Sequence, residues 1–562
     1  MLKLILVTIF LKFYASSTFY LCKELSSITV PAGVTVIEKE TFYECRNLQE
    51  VKLLGEVTEI GEHGFYKCHS LESINIPDTV RSFGKFAFAG CGMLQTINIP
   101  KGVTLIPEQA FSGTSITSVE IPEGVTLIGR EAFSNCTGLT SVSLPESLTD
   151  IEGGAFAYSG LQEIVIPEGI TTLSGLFNGC DNLKKVVLPE GLTTIATYGF
   201  QYCRALEQIN IPSTVSKIGQ GAFMHCESLK EVDLRCQIEV LERDTFRYCH
   251  NLETAILPEG LATFRSDVFG ECAKLTNITL PEATREIPYG MFQGCTSLTE
   301  IELPEGLTKI GGRGFFRTGL TKIEIPAAIT EIGEAFGESS LKEIIFKQNA
   351  PVMGVDTFDN VTATVYYPDG AEGWTEEVMH DYDGNLEWVC HKRESVANGT
   401  CGEGVSWNLY NDGILEITGS GAMTAFSSAA DVPWGQYAAD IREVVLGDGI
   451  TGIGSFAFAG CTELTKLELP NSVSEIGAQF VQNCRKLKKV IFLGNAPHID
   501  ANAFSGNVID CRYPEGDATW TSEKMVDYGG TVSWAEAKDV LVVIDNGSLG
   551  ATVSWKLTED GT

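Results

Sequence analysis

The sequence predicts a repeat solenoid that is mainly β-structure, with short helical turns between the strands and small β caps. Three observations lead to this fold class. One unit recurs at a nearly constant spacing through more than half of the 562 residues, each copy carries a short alternating apolar segment, and proline or glycine closes that segment. Because a unit this short cannot bury its own apolar face, successive copies must stack on one another.

The repeating unit reads A-F-x-x-C-x-x-L-x-x-I-x-I-P-x-x-V-x-x-I-G, and the copy that starts at Ala87 follows it closely. Its proline position recurs at a nearly constant step from one copy to the next. That position is occupied by Pro31, Leu54, Pro77, Pro100, Pro122, Pro145, Pro167, Pro189, Pro212, Arg235, Pro258, Pro281, Pro304, Pro326 and Lys347. The unbroken phase predicts one continuous array over residues 16–348, and further copies of the unit predict a second, shorter array over residues 441–494.

Each unit divides into three predicted elements. The L-x-x-I-x-I segment, for example Leu206, Ile209 and Ile211, alternates as a half-buried strand does, and the proline after it ends the strand. The V-x-x-I-G segment predicts a second short extended piece. The A-F-x-x-C segment predicts a tight helical turn whose phenylalanine points inward. Stacking at roughly 4.8 Å per unit then produces parallel sheets.

The seventeen cysteines follow the repeat period rather than a pairing pattern. Cys180, Cys203, Cys226 and Cys249, for example, are evenly spaced, each one repeat after the last. Neighbouring Cβ atoms in a stack with roughly 4.8 Å per unit are a little too far apart for a disulfide. The pattern therefore predicts buried, reduced thiols that act as small packing residues.

Outside the arrays, a second level of repetition is visible. Residues 349–393 and 495–538 are two copies of one module at a constant offset, which pairs Trp374 with Trp520. Each copy directly follows an array, where the open end of a sheet needs covering, so both copies are interpreted as C-terminal caps. All seven tryptophans lie outside the first array, and closing the cores of such modules is their favoured role over stacking on a ligand.

A hairpin module is predicted over residues 394–440, because Asp412-Gly413 stands between two alternating apolar segments. It is interpreted as an N-terminal cap of the second array. Residues 539–562 match the beginning of this module and stop partway through it, which indicates a fragment of a longer protein. Residues 1–15 resemble a short signal peptide, and the alternative is that the chosen start is an artefact.

Composition excludes several classes of function. The net charge is −33, from 73 acidic and 40 basic residues, and lysine and arginine form no cluster, so nucleic acid is an unsuitable partner. The chain has no second apolar run that approaches the length of a membrane span, so no transmembrane segment is seen. No metalloprotease, phosphate-loop, dinucleotide or nucleophile-elbow motif is present, so the sequence predicts no enzyme activity, no catalytic residue and no cofactor.

One row of variable residues is a candidate binding surface. It lies between the two strand isoleucines of each unit and should stack along the concave face, where solenoids bind their ligands. The candidate ligand-binding residues in this row are Asn75, Asn98, Glu120, Asn210, Asp233, Glu302 and Glu324. The row lacks tyrosine, tryptophan and arginine, so a solvated polar sheet stays the competing interpretation.

A second row follows the strand proline. It is glutamate at four successive units, namely Glu123, Glu146, Glu168 and Glu190. Carboxylates stacked roughly 5 Å apart repel one another, and oxygen ligands suit calcium. A weak calcium strip is therefore one hypothesis for this row, and side chains that simply splay into solvent are the other.

The unit resembles the leucine-rich repeats of the BspA-like (Treponema-type) bacterial surface proteins, over residues 16–348 and again 441–494. The resemblance implies a leucine-rich-repeat horseshoe or β-solenoid that is exported to the cell surface or secreted. It also implies an adhesin-like role, with protein or glycan ligands that include host extracellular matrix.

The sequence therefore predicts a non-catalytic surface protein that binds or adheres. Two alternatives are open. The chain is the repeat or spacer region of a larger surface enzyme or wall-anchored protein whose functional domain lies beyond Thr562, or it is purely a structural spacer. The sequence does not identify a ligand.

Overall fold

The computed structural model describes residues 16–537 and the backbone of two further strands, Val543–Ser548 and Ser554–Thr558. The chain divides into two compact units, Met1–His391 and Lys392–Thr562. The predicted signal peptide over residues 1–15 lies outside the described residues. Both units are β-solenoids with almost no helix, which confirms the predicted repeat fold.

The first unit contains two ladders of short strands, in which paired strands are parallel and lie about one repeat apart in the sequence. Ser27 is opposite Glu50, for example, and Val36 is opposite Glu59. The first ladder, at the L-x-x-I-x-I segments, comprises Ser27–Val30, Glu50–Leu53, Ser73–Ile74, Ser118–Glu120, Ser141–Ser143, Glu163–Val165, Lys185–Val187, Glu231–Asp233, Thr254–Ile256, Asn277–Ile278, Lys322–Ile325, Glu343–Phe346, Thr362–Pro368 and Asn385–His391. The second, at the V-x-x-I segments, comprises Val36–Ile37, Glu59–Ile60, Ser82–Phe83, Leu105–Ile106, Leu127–Ile128, Asp150–Ile151, Thr172–Leu173, Thr194–Ile195, Lys217–Ile218, Val240–Leu241, Thr263–Phe264, Glu286–Ile287, Lys309–Ile310, Glu331–Ile332 and Val352–Met353. Each ladder is divided into several short sheets.

The predicted helical turns are wrong. Glu40 and Glu44, which flank Phe42, have φ values of 57° and 51°, and residues in the left-handed region cannot continue a right-handed helix. The turn instead bonds to its neighbour: the Phe42 N–H donates to the Gly64 carbonyl at 2.9 Å. These inter-turn bonds form a third backbone ladder. Among the described residues the only helices are two short 3₁₀ segments, Ala429–Asp431 and Gly435–Asp440.

The core of the first unit is a column of phenylalanine rings, one from each turn. Neighbouring rings are nearly parallel, with centroids 5.1 to 6.1 Å apart. The column starts at Phe19 and ends at Phe358, where Tyr382 covers the last ring edge-on at 6.1 Å. An offset stack of this kind stabilises through both area burial and ring contact.

The first unit ends in strands Glu343–Phe346, Thr362–Pro368 and Asn385–His391, which pair in parallel and extend the first ladder. The Trp374 indole N–H donates to the Gln348 carbonyl at 3.1 Å, and Trp388 packs against Trp374. These tryptophans therefore pack within the end of the unit.

The second unit begins with the antiparallel strands Ser395–Gly402, Val405–Tyr410 and Ile414–Gly419, and Gly413 in the connecting turn has a φ of 83°. Ile414–Gly419 then pairs in parallel with Glu443–Leu446, a strand of a short array. The strands of this array are Gly421–Ala422, Glu443–Leu446, Ile450–Ile453, Lys466–Leu469, Glu475–Ile476, Lys489–Phe492, His498–Ile499, Val508–Pro514 and Thr531–Ala537.

The end of this array has the same contacts as the end of the first. The Trp520 indole N–H donates to the Gly494 carbonyl at 3.2 Å, which reproduces the Trp374 bond at the equivalent position of the module. The strands Val543–Ser548 and Ser554–Thr558 then form an antiparallel pair. Their register, including one shift, matches that of Ser395–Gly402 and Val405–Tyr410.

Candidate functional site

The predicted binding row lies on the solvent side of the first ladder, one residue per turn. Asn75, Asn98, Glu120, Asn210, Glu302 and Glu324 are exposed, and Asp233 is half-buried. The row is therefore an extended surface, and the structure brings only neighbouring members together.

Asn75 and Asn98 lie on adjacent turns and line a shallow depression of about 380 Å³ together with Ser73 and Thr96. The Asn98 amide is already engaged, because its Oδ1 accepts from the Ile76 N–H at 3.0 Å and its Nδ2 donates to the Ile76 carbonyl at 2.7 Å. The Asn98 side chain therefore takes the place of backbone hydrogen bonds between these two turns. Asn75 is the better candidate of the two for contact with a ligand.

Two acidic members of the row are held by neighbouring cations. The Arg235 guanidinium donates to the Asp233 carboxylate at 3.0 Å, and this hydrogen bond lowers the pKa of Asp233. Glu324 lies 3.3 Å from Lys322 and 3.4 Å from Lys347. These exposed ion pairs contribute little to stability, but they balance the charge of the face locally.

The glutamate row Glu123, Glu146, Glu168 and Glu190 is exposed. The Glu146 N–H donates to the Glu123 carboxylate at 3.3 Å, so part of this row bonds to backbone. Within the part of the chain that the structure describes, no three histidine, cysteine, aspartate or glutamate side chains are placed to hold a metal ion.

The turn face carries a surface that sequence reasoning missed. It is formed by the residues around each buried phenylalanine, and it includes strips of stacked aromatic rings. Tyr43 lies 4.8 Å from Tyr20 and 5.0 Å from Tyr66, and these residues recur one repeat apart in the sequence, which is the signal that would have identified them. Because stacked rings cover one another's faces, such a strip offers mainly ring edges and hydroxyls to solvent.

Two histidines belong to these strips rather than standing free in solvent. His63 stacks on Phe86 at 4.8 Å, and His225 lies between Tyr202 and Tyr248 at 4.6 and 4.4 Å. Burial lowers the pKa of His225.

The cysteines lie inside the stack as free thiols, and fourteen of the seventeen are buried. Each regular repeat cysteine donates its S–H to the backbone carbonyl of the preceding turn's phenylalanine, as Cys91 does to Phe65 at 3.1 Å. Burial raises the pKa of Cys91 to about 12 and that of Cys180 to about 11. Such thiols are protonated at neutral pH and are poor nucleophiles.

A family model for the BspA type leucine-rich repeat region matches six segments, of which the first five overlap. The segments are 12–136, 58–176, 104–220, 174–293, 263–370 and 436–517. Comparison with curated proteins gives no match. No helix among the described residues is long and apolar enough to cross a membrane.

Several solved structures are similar to this chain. A leucine-rich repeat protein from Bacteroides ovatus is 27% identical, with 67% of this chain and 87% of that chain covered and a TM-score of 0.46. A leucine-rich cell surface protein from Faecalibacterium prausnitzii is 30% identical, with 49% of this chain and 87% of that chain covered and a TM-score of 0.38. A leucine-rich repeat protein from Eubacterium ventriosum is 25% identical, with 53% of this chain and 84% of that chain covered and a TM-score of 0.38.

The matched segments span more than half of the sequence and coincide with both stacked arrays. The chain therefore belongs to the BspA-type leucine-rich repeat family.

Proposed function

We propose that this chain is a non-catalytic secreted or cell-surface protein that binds protein or glycan ligands through its extended repeat surface. The observation that carries this proposal is the exposed face of the first ladder. It offers exposed polar side chains at many of its turns, on a backbone fixed by the phenylalanine column. A rigid, extended face of this kind suits multivalent recognition, because little conformational entropy is lost on binding.

The environments of the cysteines and of two histidines, residue types that often act in catalysis, support a binding role. The repeat thiols are buried and have raised pKa values, and His63 and His225 are held between aromatic rings. Membership of the BspA-type leucine-rich repeat family supports the proposed location.

One observation favours a second candidate function. The hairpin of Ser395–Gly402 and Val405–Tyr410 recurs as Val543–Ser548 and Ser554–Thr558, so caps and hairpins alternate along the chain. Serial modules suit a spacer within a larger surface enzyme or wall-anchored protein. A spacer needs no ligand of its own, whereas a binding protein does.

The test is a binding screen of the full chain against glycan arrays and extracellular matrix proteins, followed by titration of each hit. A variant that reverses charge on the exposed strand face, Glu120→Arg with Glu302→Arg, is expected to weaken a ligand that docks there. The matched control is Glu123→Arg with Glu146→Arg on the neighbouring glutamate row. Saturable binding supports the proposal, and no binding at micromolar concentration across the panel would favour the spacer.

A further inference from the structure

At several places on the turn face a side chain of one turn lies across a glycine of the next. Tyr158 and Gly179 form such a pair: a Cβ on Gly179 would come within 2.3 Å of the Tyr158 Cδ1 atom. Gly179 has a φ of +74°, which also favours glycine. Because Gly179 has no side chain, the Tyr158 ring lies along the surface at this point. Tyr158 is 51% exposed.

Beside this ring the turn face sinks into a depression of about 290 Å³. Its lining includes three residues with little or no side chain, Gly154, Ala157 and Gly175. Both glycines have positive φ values, +69° and +66°, so a larger residue would be strained at either position. The depression is therefore built into the backbone of three consecutive turns.

The rim of the depression is polar. Glu131 accepts from the Gln109 amide at 2.8 Å, and Arg130 lies 3.4 Å from the Glu131 carboxylate. Asn135 donates to the Ser134 hydroxyl at 3.4 Å. The rim thus combines a carboxylate, a hydroxyl and an amide close to one exposed aromatic ring.

A second amide on the rim has an unused acceptor. Asn178 donates through Nδ2 to Gln201 Oε1 at 3.3 Å, but its Oδ1 is buried and has no hydrogen-bond partner among the described residues. A buried acceptor without a partner is costly, so a ligand donor that reached this oxygen would relieve that cost.

We propose that this depression binds one sugar ring of a neutral glycan. A pyranose has an apolar face of C–H groups that packs on an aromatic ring, and hydroxyls around its edge that both donate and accept hydrogen bonds. The depression offers an aromatic ring for the apolar face and polar groups for the hydroxyls, and its volume suits one sugar residue. This inference rests on the proposed binding function and specifies its ligand class.

Charge argues against the other small ligands. Arg130, which precedes the lining residue Glu131 in the chain, is paired with the Glu131 carboxylate, and the chain carries a net charge of −33, so phosphate, sulfate and acidic sugars are disfavoured. The depression also has no open strand edge and no long apolar groove, which are the features that peptide ligands use.

The test measures binding of neutral glycans to the full chain by saturation-transfer NMR and by titration, with a panel of methyl glycosides and neutral oligosaccharides as probes. Tyr158→Ala is expected to weaken the bound glycan at least about tenfold. Ala157→Arg should fill the depression and have the same effect, and the equivalent position of a later turn naturally holds Arg247. The matched control is Tyr198→Ala, because Tyr198 also lies across a glycine, Gly221, but does not line the depression.

Melting curves of each variant establish that it is folded. Neutral-glycan binding that both site variants weaken and Tyr198→Ala leaves intact supports the inference. If glycans bind equally well to Tyr158→Ala and Ala157→Arg, or if only proteins bind, this inference is overturned while the proposed function stands. If neither glycans nor proteins bind, both are overturned.

Discussion

The thiol of Cys226 donates a 3.2 Å hydrogen bond to the backbone carbonyl of Phe200, which lies in the preceding turn. The same bond recurs along both arrays at 3.0 to 3.2 Å. The repeat cysteine is therefore more than a small packing residue. It links two turns, because the buried phenylalanine carbonyl accepts the thiol hydrogen bond in addition to its backbone hydrogen bond.

Cys226→Ala should lower the free energy of unfolding by about 1–3 kcal/mol, because it removes this bond and leaves a small cavity. Cys226→Thr should cost less, because a buried hydroxyl is accommodated at the equivalent position of another turn. There Thr114 donates to the carbonyl of Phe111 in its own turn at 2.9 Å, whereas Cys226 donates to the preceding turn. Urea unfolding followed by circular dichroism measures both variants, and an unchanged free energy of unfolding for Cys226→Ala would contradict a role for the inter-turn hydrogen bond.

Thiol labelling should separate two classes of cysteine. Cys22 is exposed, Cys236 and Cys390 are half-buried, and the other fourteen are buried. A thiol reagent applied to the folded protein should therefore modify at most about three sites. Under denaturing, non-reducing conditions, intact mass should count nearly all seventeen as free. A count of only one or two would mean that the cysteines form disulfides.

Phe223→Ala should be among the most damaging single substitutions, at about 3–5 kcal/mol. Phe223 is fully buried, and its ring lies 5.3 Å from both Phe200 and Phe246. Phe223→Leu retains most of the volume and should cost clearly less. Val165→Ala serves as the control, because Val165 is 63% exposed and should have almost no effect on the unfolding midpoint.

The buried carboxyl of Asp267 should make stability depend on pH. Burial raises the pKa of Asp267, and Arg247, at 3.8 Å, only partly opposes this. The folded state then holds this proton more tightly than the unfolded chain, so the group is destabilising at neutral pH and harmless at low pH. Asp267→Asn should raise the melting temperature at pH 7, and the gain should vanish below pH about 3.9.

Asp244 provides the matched comparison, because its carboxylate accepts from Arg247 at 3.1 Å and lies 3.2 Å from Arg243. Asp244→Asn should lower the melting temperature at pH 7, opposite in sign to Asp267→Asn. Melting curves between pH 3 and 8 test both. A gain from Asp267→Asn that persists at low pH would point to packing instead of charge.

The glutamate row should respond to calcium only as it does to salt. Glu123 already accepts from the Glu146 backbone, and the four side chains are exposed. The melting temperature in millimolar calcium should equal that in sodium at the same ionic strength. A calcium-specific rise that Glu146→Gln with Glu168→Gln abolishes would instead establish the weak calcium strip.

Much of the fold was predictable from the sequence because it repeats. A fixed phase places Phe200 and Phe223 at the same point of adjacent turns, so stacking follows without knowledge of distant contacts. Burial of the cysteines follows from the same phase. The conformation of the turn was not predictable in this way: the left-handed residues Glu40 and Glu44 are compatible with a turn whose N–H groups bond to the next turn, and those partners lie a full repeat away in the chain.

The sequence by itself determined the period, the strands, the buried column and the family, because each depends on a local apolar pattern repeated at one spacing. Only the tertiary structure decided which side chains of adjacent turns meet. The amide of Asn98 is engaged by the backbone of Ile76, and the ring of Tyr158 occupies the space that Gly179 leaves open. Such contacts depend on rotamers and on gaps in the neighbouring turn, which the pattern of one unit does not specify.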